Sequence, residues 1–400
     1  MKNMSSTLLG ISAVCLAANP VTFVHAKGMS QMMTSGKAYS DFRLRYESVE
    51  QDNALKDADG LTLRSRVGYQ TGTYEGFSGI LEFEDSRTVL GLADYNNTLG
   101  MNTDYSVIAD PETTELDQGY LQYQFGSTSV KFGRQVITYD NHRFVGHVGW
   151  RQDRQTFDGL TINSQPIEGL KLNYAYLEQR NRIFAEAGDL PAKDHLLNGS
   201  YQTPFGTLGA YGYLLEVDEG SNNTLDTFGA RFGGSTAGNG FNLIYALEFA
   251  TQTFESGSTE YDADYLFVEA GAKFGQLTTK LGYEVLGSDD GQFGFQTPLA
   301  TLHKFNGWAD QFLSTPLEGL KNLSITFAAP LAGGNASLVY HDFESDDSTA
   351  GVDDLGSEVD LLYARKFCDH YNAGIKYAAY SAGDVKVDTD KLWLWVGASF

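Results

Sequence analysis

Arginine side chains concentrate in one short part of an otherwise acidic sequence. The stretch FGRQVITYDNHRFVGHVGWRQDRQTFDGLTI, residues 132–162, contains Arg134, Arg143, Arg151 and Arg154, whereas the whole chain has a formal net charge of -23. A guanidinium group presents its N–H donors in a planar fork that matches a carboxylate or a phosphate. The cluster therefore indicates either anion binding or ion pairs with the chain's own carboxylates.

Histidines near this cluster raise the question of a metal site or an enzyme. His142 and His147 lie near Asp140 and Asp153, but their spacing matches no established metal motif, so we expect no metal there. None of the loop histidines has a recognisable nucleophile partner, and we therefore expect no enzymatic activity. The cofactor prediction is none, with Ca²⁺ in the acidic loop 345–358 as an open alternative that lacks EF-hand spacing. A phosphate-binding glycine motif and a basic nucleic-acid face are both missing from the sequence.

The start of the chain has the features of an export signal. Lys2 precedes an apolar run, and Val24-His25-Ala26 resembles a cleavage site, so residues 1–26 are predicted to be a signal peptide. Residues 27–400 are then predicted to form a single domain. After removal of the signal only Cys368 remains, which excludes an internal disulfide bond.

Apolar residues recur at every second position along most of the chain. In residues 239–250, for example, Phe241, Leu243 and Tyr245 share one face with Leu247 and Phe249. This period is typical of half-buried strands. It predicts eighteen strands, near residues 38–49, 61–71, 76–87, 115–126, 128–138, 156–164, 168–180, 194–204, 205–217, 224–234, 239–254, 262–274, 276–287, 319–330, 335–345, 357–367, 370–382 and 389–400.

The connections between these strands alternate in length. Short turns such as TPFG alternate with long acidic loops, which fall at 88–114, 139–155, 181–193, 288–318 and 346–356. A secreted soluble β-protein has no reason to collect its long loops at one end, whereas outer-membrane barrels have short periplasmic turns and long outer loops. The predicted fold class is therefore all-β, a transmembrane outer-membrane antiparallel β-barrel of about 18 strands.

If the apolar stripe of each strand faces lipid, the alternate residues face the lumen. This rule points Arg43, Arg45, Arg64 and Arg66 inward, because a basic side chain facing mid-bilayer lipid costs roughly 2–4 kcal/mol. Lys131 and Arg231 follow the same rule. Arg134 and Arg365 break it, which indicates either strand bulges or positions at a membrane interface. Lumen carboxylates are also predicted, so the arginines either pair with them or bind a passing anion.

The longest loop is rich in aromatic side chains. Phe293, Phe305, Trp308 and Phe312 lie within residues 288–318, among glycines and prolines. A loop of this length is usually functional or disordered, and its apolar content disfavours disorder. We predict that it folds over or into the lumen as a constriction, with an extracellular cap as the alternative.

Several motifs resemble those of the alginate-export porin family. GRQ followed by GWRQDRQTFDGL, within residues 133–160, is similar to a pattern that recurs in that family, as are the segments 107–126 and 301–323. The resemblance implies an eighteen-stranded, monomeric outer-membrane barrel of a Gram-negative bacterium, whose arginine-rich lumen conducts the polyuronate alginate. It also implies that Arg134, Arg151 and Arg154 are pore or loop-fold residues.

Together these features predict a porin-type channel for anionic oligosaccharides, uronates or related organic acids, lined by arginines and embedded among outer-membrane lipids and lipopolysaccharide. Two alternatives stay open. One is a general diffusion porin with weak ion preference, and the other is a non-conducting surface barrel that acts as a receptor or an enzyme. The acidic loops, with Asp289, Asp290, Asp346 and Asp347, would repel a polyanion, so the solute and the direction of transport stay open as well.

Overall fold

The computed structural model describes residues 24–217, 223–348 and 351–400. A helix, α1 (Val24–Thr34), precedes the first strand. The predicted signal peptide, residues 1–26, lies outside the described residues except for its last three. Among the described residues no helix has the length and apolar character needed to cross a bilayer.

Twenty strands form two sheets in the described ranges. Eighteen of them make one antiparallel sheet, and β14 and β15 make a separate short hairpin. Strand β1 pairs with both β2 and β20, which closes the large sheet into a barrel. The predicted fold is therefore confirmed. In chain order the strands are β1 (Lys37–Gln51), β2 (Ala58–Gln70), β3 (Phe77–Asp94), β4 (Thr113–Phe125), β5 (Thr128–Gln135), β6 (Thr156–Ile167), β7 (Leu170–Asn181), β8 (Leu190–Thr203), β9 (Gly206–Glu216), β10 (Thr224–Ala237), β11 (Asn242–Ser256), β12 (Thr259–Phe274), β13 (Leu277–Leu286), β14 (Ser288–Asp289), β15 (Phe293–Gly294), β16 (Leu320–Leu331), β17 (Gly334–Glu344), β18 (Asp354–Phe367), β19 (Tyr371–Ser381) and β20 (Thr389–Ser399).

The two faces of the barrel wall differ in polarity. Leu121, Phe132 and Val396 on the outer face are 67%, 63% and 55% exposed, whereas Arg45 and Glu47 on the inner face are each 1% exposed. Alternation along each strand sends apolar side chains outward and charged side chains inward. Closure satisfies the backbone hydrogen bonds without leaving an edge, as a lipid environment requires.

The short turns, such as residues 126–127 and 332–333, lie at one end of the barrel, and the long connections lie at the other. We call residues 136–155 the first lumen loop and residues 287–319 the second lumen loop, because both fold into the barrel. Their apolar side chains form a buried core with aromatic residues of the wall. Phe144, for example, packs edge-on against Tyr265, with 5.2 Å between the ring centroids. The lumen is therefore largely filled at the level of these loops.

A glycine allows the second lumen loop to approach the wall closely. Gly307 has a φ of +84°, and a Cβ atom at this position would lie 2.2 Å from a carboxylate oxygen of Glu358. The backbone N–H of Ala309 donates to Glu358 Oε1 at 2.7 Å, and that of Trp308 donates to Asp360 Oδ2 at 3.3 Å. A residue with a side chain at position 307 would be strained and would displace these contacts.

Candidate functional site

Arg43 anchors the first lumen loop to the wall. Its guanidinium donates to the backbone carbonyls of Gly149 at 3.1 Å and Trp150 at 2.8 Å, and to that of Arg151. Its Nε donates to Gln152 Oε1 at 3.0 Å. Among the described residues, no carboxylate lies within ion-pair distance of Arg43. These hydrogen bonds therefore hold the first lumen loop against the wall.

A second group of charges ties both lumen loops to strand β1. Arg45 forms ion pairs with Asp110 and with Glu47, the latter at 3.2 Å. Arg151, in the first lumen loop, contacts Glu47 at 3.1 Å and Asp310, in the second lumen loop, at 2.9 Å. All five side chains are almost completely buried. Each of these arginines is neutralised by at least two carboxylates.

A third group joins the first lumen loop to strands β2, β3 and β4. Arg66 contacts Glu84, and Arg154 contacts both Glu82 and Asp117. Asp117 lies 2.6 Å from Arg154 and 3.5 Å from Arg66, so it bridges the two arginines. Arg64 pairs separately with Asp41 of β1. The inward direction that alternation predicted for Arg64 and Arg66 agrees with these contacts.

The other basic residues singled out from the sequence occupy different places. Lys131 lies over the Tyr120 ring, with its Nζ 4.7 Å from the centroid. Arg231 lies 3.3 Å from Asp140 and 3.7 Å from Glu248.

The two arginines that broke the alternation lie near the ends of their strands. Arg134, one residue before the end of β5, makes a two-pronged contact with Asp158 at 2.8 and 3.0 Å. Arg365 is exposed at the short-turn end of β18 and donates to the Ala332 carbonyl oxygen at 3.2 Å. Strand β18 keeps its register around Arg365, which therefore lies at a strand end and not at a bulge. Beside Arg134 the backbone is irregular, because Gly133 has a φ of +122° and β4 has a register shift at Asp117, two residues from the Gly119 that pairs with Arg134. Both a strand end and a neighbouring bulge therefore accompany the parity of Arg134.

The aromatic residues of the second lumen loop all pack inside the barrel. Phe293 stacks on Phe254 with ring centroids 5.1 Å apart, and Phe312 packs against Phe343 at 4.8 Å. The remaining two lie beneath cations: Phe305 is 4.9 Å from the Arg143 guanidinium, and Trp308 is 3.8 Å from the Lys376 ammonium. The loop thus occupies the lumen, in line with the first of the two positions that its composition suggested.

His303 is the centre of a buried contact that sequence reasoning missed. Its ring stacks on Trp150 with centroids 4.9 Å apart, its Nδ1 is 2.6 Å from Asp310 Oδ1, and its Nε2 is 2.7 Å from Lys376 Nζ. Asp310 also pairs with Lys391 at 3.0 Å. We call His303, Asp310, Lys376, Lys391 and Arg151 the latch, because they join the second lumen loop to strands β19 and β20 and to the first lumen loop.

Burial and neighbouring charges determine the protonation states of His303 and Asp310, the two latch residues in the second lumen loop. Burial lowers the pKa of His303 to about 3; Asp310 opposes this shift, and Lys376 adds to it. Burial alone would raise the pKa of the Asp310 carboxyl, but His303 and Lys391 hold it well below its usual range. At neutral pH, His303 is therefore neutral and its Nε2 accepts a hydrogen bond from Lys376. The sequence signal that could have found the latch is the inward parity of Lys376 and Lys391.

Another part of the loops brings basic side chains together. His142 and His147 make an edge contact at 5.3 Å between ring centroids. Burial, together with the nearby His142, Arg154 and Arg66, lowers the pKa of His147 to about 4. Partial burial also lowers the pKa of Lys304, and the nearby Lys280 and Arg231 add to this shift.

We call His142, His147, Lys304, Arg231 and Lys280 the basic face. Lys280 pairs with Glu269 at 3.0 Å, and Arg231 with Asp140. By contrast, the Lys304 amine donates to the backbone carbonyl of Asn141 at 2.7 Å, and no carboxylate of the described ranges lies within ion-pair distance of it. An anion near Lys304 would relieve the repulsion between like charges.

This architecture, a closed eighteen-stranded barrel with an apolar outer belt and charged loops folded into its lumen, is that of an outer-membrane porin-type channel. The chain belongs to the alginate export family, whose model matches residues 34–286. It is located in the outer membrane of a Gram-negative bacterium. Among curated proteins, none matches the sequence.

Solved channel structures share the fold. OccK9 (OpdG) of Pseudomonas aeruginosa superposes with a TM-score of 0.71 at 14% identity, covering 92% of this chain and 99% of that one. OccAB4 of Acinetobacter baumannii gives 0.70 at 14% identity with the same coverage. OpdK of P. aeruginosa, solved with vanillate, gives 0.71 at 15% identity and again 92% and 99% coverage. At this level of identity the likeness extends to the fold alone.

Proposed function

We propose that this porin-type channel passes small organic anions, with uronates and short anionic oligosaccharides among them, along the basic face. The observation that carries the proposal is the position of Lys304. Within the described ranges its ammonium has only a backbone carbonyl as hydrogen-bond partner, and after burial the nearby Lys280 and Arg231 lower its pKa. Such a group attracts an anion without first breaking an ion pair.

The charge distribution favours Lys304 as the anion contact over the arginines that were predicted to line the lumen. Arg45, Arg64, Arg66, Arg151 and Arg154 all pair with carboxylates, and Arg43 bonds to loop carbonyls. A solute anion would have to compete with those carboxylates. These six arginines, together with Lys131, Arg134 and Arg231, stay predicted pore-lining residues, and we assign the strongest anion contact to Lys304 and His142.

The filled lumen favours small solutes. The first and second lumen loops pack on each other and on the wall, with Phe295, Leu299 and Val145 almost completely buried. A polymer would need these loops to move apart, whereas a single sugar acid would not. OpdK is a channel of the same fold that was solved with vanillate, a carboxylate of this size, which supports the choice of small anions.

The same pairing of charges favours one competing function. Because nearly every lumen arginine has a carboxylate partner, a general diffusion porin with weak ion preference is the second candidate. We further propose that the channel is passive, non-enzymatic, cofactor-free and monomeric, that residues 1–26 are a cleaved signal peptide, and that lipopolysaccharide surrounds the outer rim. Ca²⁺ binding by the acidic loop 345–358 stays an open alternative.

The reversal potential in a salt gradient tests the proposal. For the protein in a planar bilayer we expect anion selectivity, and we expect Lys304→Gln to reduce it about twofold. Lys386→Gln is a matched control, since both lysines lie in loops near a phenylalanine ring, at 5.4 Å for Lys304 and 5.9 Å for Lys386. Equal selectivity in Lys304→Gln and in the unmodified protein would favour the general porin.

A further inference from the structure

A cavity of about 290 Å³ lies where four loop segments meet. It is separate from the basic face, and its lining comes from the first and second lumen loops, from residue 109 and from the connection between β7 and β8. Its volume is near the lower limit of roughly 300–1,000 Å³ for small-molecule sites. It therefore suits a compact molecule better than an oligosaccharide.

The wall of this cavity is mostly apolar. Phe184, Pro298, Leu302 and Leu313 form much of the lining, together with small residues. Leu313 is 40% exposed, so part of this surface is open to a ligand. A sugar acid has hydroxyl groups on every side, and these would find few hydrogen-bond partners here. An apolar ring or chain would instead remove this surface from water.

One charged group in the lining lacks a counter-charge. Arg151 and Asp310 pair with each other at 2.9 Å, and His303 contacts Asp310, so these polar groups are already engaged. Arg182 differs, because in the described part of the chain its guanidinium has no carboxylate within ion-pair distance. Asp189 could have paired with it, but its Oδ1 accepts the backbone N–H of Arg182 at 2.8 Å instead.

The local structure fixes where this arginine lies. Arg182 follows directly after β7, and its guanidinium lies 4.8 Å from the centre of the Phe184 ring. The nearby Arg180 already forms a bidentate ion pair with Asp194, with both hydrogen bonds at 2.7 Å. The segment is tied to the first lumen loop, because the N–H of Ala185 donates to Asp153 Oδ2 at 3.2 Å. The site thus combines a free guanidinium with an apolar cavity.

We propose that this cavity is a binding site for a small monocarboxylate with an apolar body, such as an aromatic acid. The carboxylate would accept hydrogen bonds from Arg182, and the apolar body would lie against Phe184, Leu302 and Leu313. The inference rests on the proposed function and deepens it, because it selects apolar carboxylates over uronates among the small anions.

Three probes separate charge from apolar character. Benzoate has both features, benzyl alcohol has the ring without the charge, and glucuronate has the charge on a hydroxylated ring. We expect calorimetry on the purified full-length protein in detergent, and block of single-channel current, to give tighter binding of benzoate than of either other probe. Glucuronate or benzyl alcohol binding as tightly as benzoate would overturn the inference.

Substitutions identify the site. We expect Arg182→Gln to weaken benzoate binding about tenfold or more, the range for loss of a charge-assisted contact. Arg365→Gln is the matched control, because that exposed arginine also lies over a phenylalanine two residues on, at 5.0 Å. Leu313→Asn should narrow the preference for benzoate over glucuronate. Benzoate affinity that is unchanged in Arg182→Gln would overturn the inference.

Two further measurements keep the test decisive. If circular dichroism shows that Arg182→Gln does not fold, Arg182→Lys takes its place. This variant keeps the positive charge without the planar fork, so we expect it to bind benzoate measurably but more weakly than the unmodified protein. Unchanged affinity in that variant would overturn the inference. If Lys304→Gln alters selectivity while benzoate does not bind, the inference fails alone. If selectivity is independent of Lys304 while benzoate binds at Arg182, only the proposed function fails.

Discussion

Two charged regions of the same lumen are built in opposite ways. In the latch, Arg151 and Lys391 form ion pairs with the carboxylate of Asp310, and the neutral His303 contacts the same carboxylate. In the basic face, burial lowers the pKa values of His142 and Lys304, and neighbouring basic groups add to both shifts: Lys304 acts on His142, and Lys280 and Arg231 act on Lys304. The contrast indicates that paired charges hold the loops in place, whereas unpaired charges are available to a solute.

The largest effect should come from breaking the latch. Asp310→Asn would leave Arg151 and Lys391 buried with less counter-charge, which typically costs about 3–5 kcal/mol. We expect the second lumen loop to detach and single-channel conductance to rise severalfold. Asp104→Asn is the control, since Asp104 forms an ion pair with Lys56 at 2.6 Å in which both side chains are 61% exposed. An equal response of the two variants would mean that the latch does not hold the loop.

A backbone change should loosen the same loop more gently. Gly307→Ala would place a methyl group against Glu358 at a φ of +84°. We expect a smaller rise in conductance than in Asp310→Asn, with more frequent current fluctuations. Gly257→Ala controls for strain alone, because Gly257 has a φ of +65° and nothing within 4 Å of its added Cβ. If Gly307→Ala and Gly257→Ala have the same conductance, the close approach of Gly307 to Glu358 does not hold the loop.

Acid should weaken the latch through His303. Its pKa in the folded protein is about 3, below the ordinary value of 6.5, so neutral His303 contributes stability that is full above pH 6.5 and is lost as the pH falls towards 3. Protonation would also place a cation against Lys376, which now donates to Nε2. We expect conductance fluctuations to increase between pH 6.5 and 4. In His303→Gln this pH dependence should be flatter, and an unaltered profile would assign the effect to other groups.

The sequence predicts the direction of the wall arginines but not the roles of the charged residues in the loops. The inward direction of Arg43, Arg45, Arg64 and Arg66 follows from the two-residue period of a strand, which is a local property. Their partners could not be predicted, because Arg43 bonds to Trp150, 107 residues away, through a loop without periodicity. For Asp310 and Lys304 no strand parity applies, so their roles depend on how two loops pack inside a closed barrel.

The smallest expected effect concerns Arg43. Arg43 lacks a carboxylate partner in the described ranges, so its charge alone would suggest a contact with the solute anion. Its hydrogen bonds to loop carbonyls instead indicate that it holds the first lumen loop. We expect Arg43→Gln to raise conductance slightly, through a looser first lumen loop, with little change in reversal potential. A loss of anion selectivity as large as in Lys304→Gln would place Arg43 among the solute contacts instead.

The most direct test of the division between the two regions is a side-by-side measurement of conductance and reversal potential for Lys304→Gln and Asp310→Asn in planar bilayers. We expect Lys304→Gln to lose anion selectivity at nearly unchanged conductance, and Asp310→Asn to gain conductance as its loop leaves the wall. The contradicting result would be a loss of selectivity in Asp310→Asn at constant conductance, together with an unchanged reversal potential in Lys304→Gln. It would mean that paired charges do not hold the loops and that unpaired charges do not contact the solute.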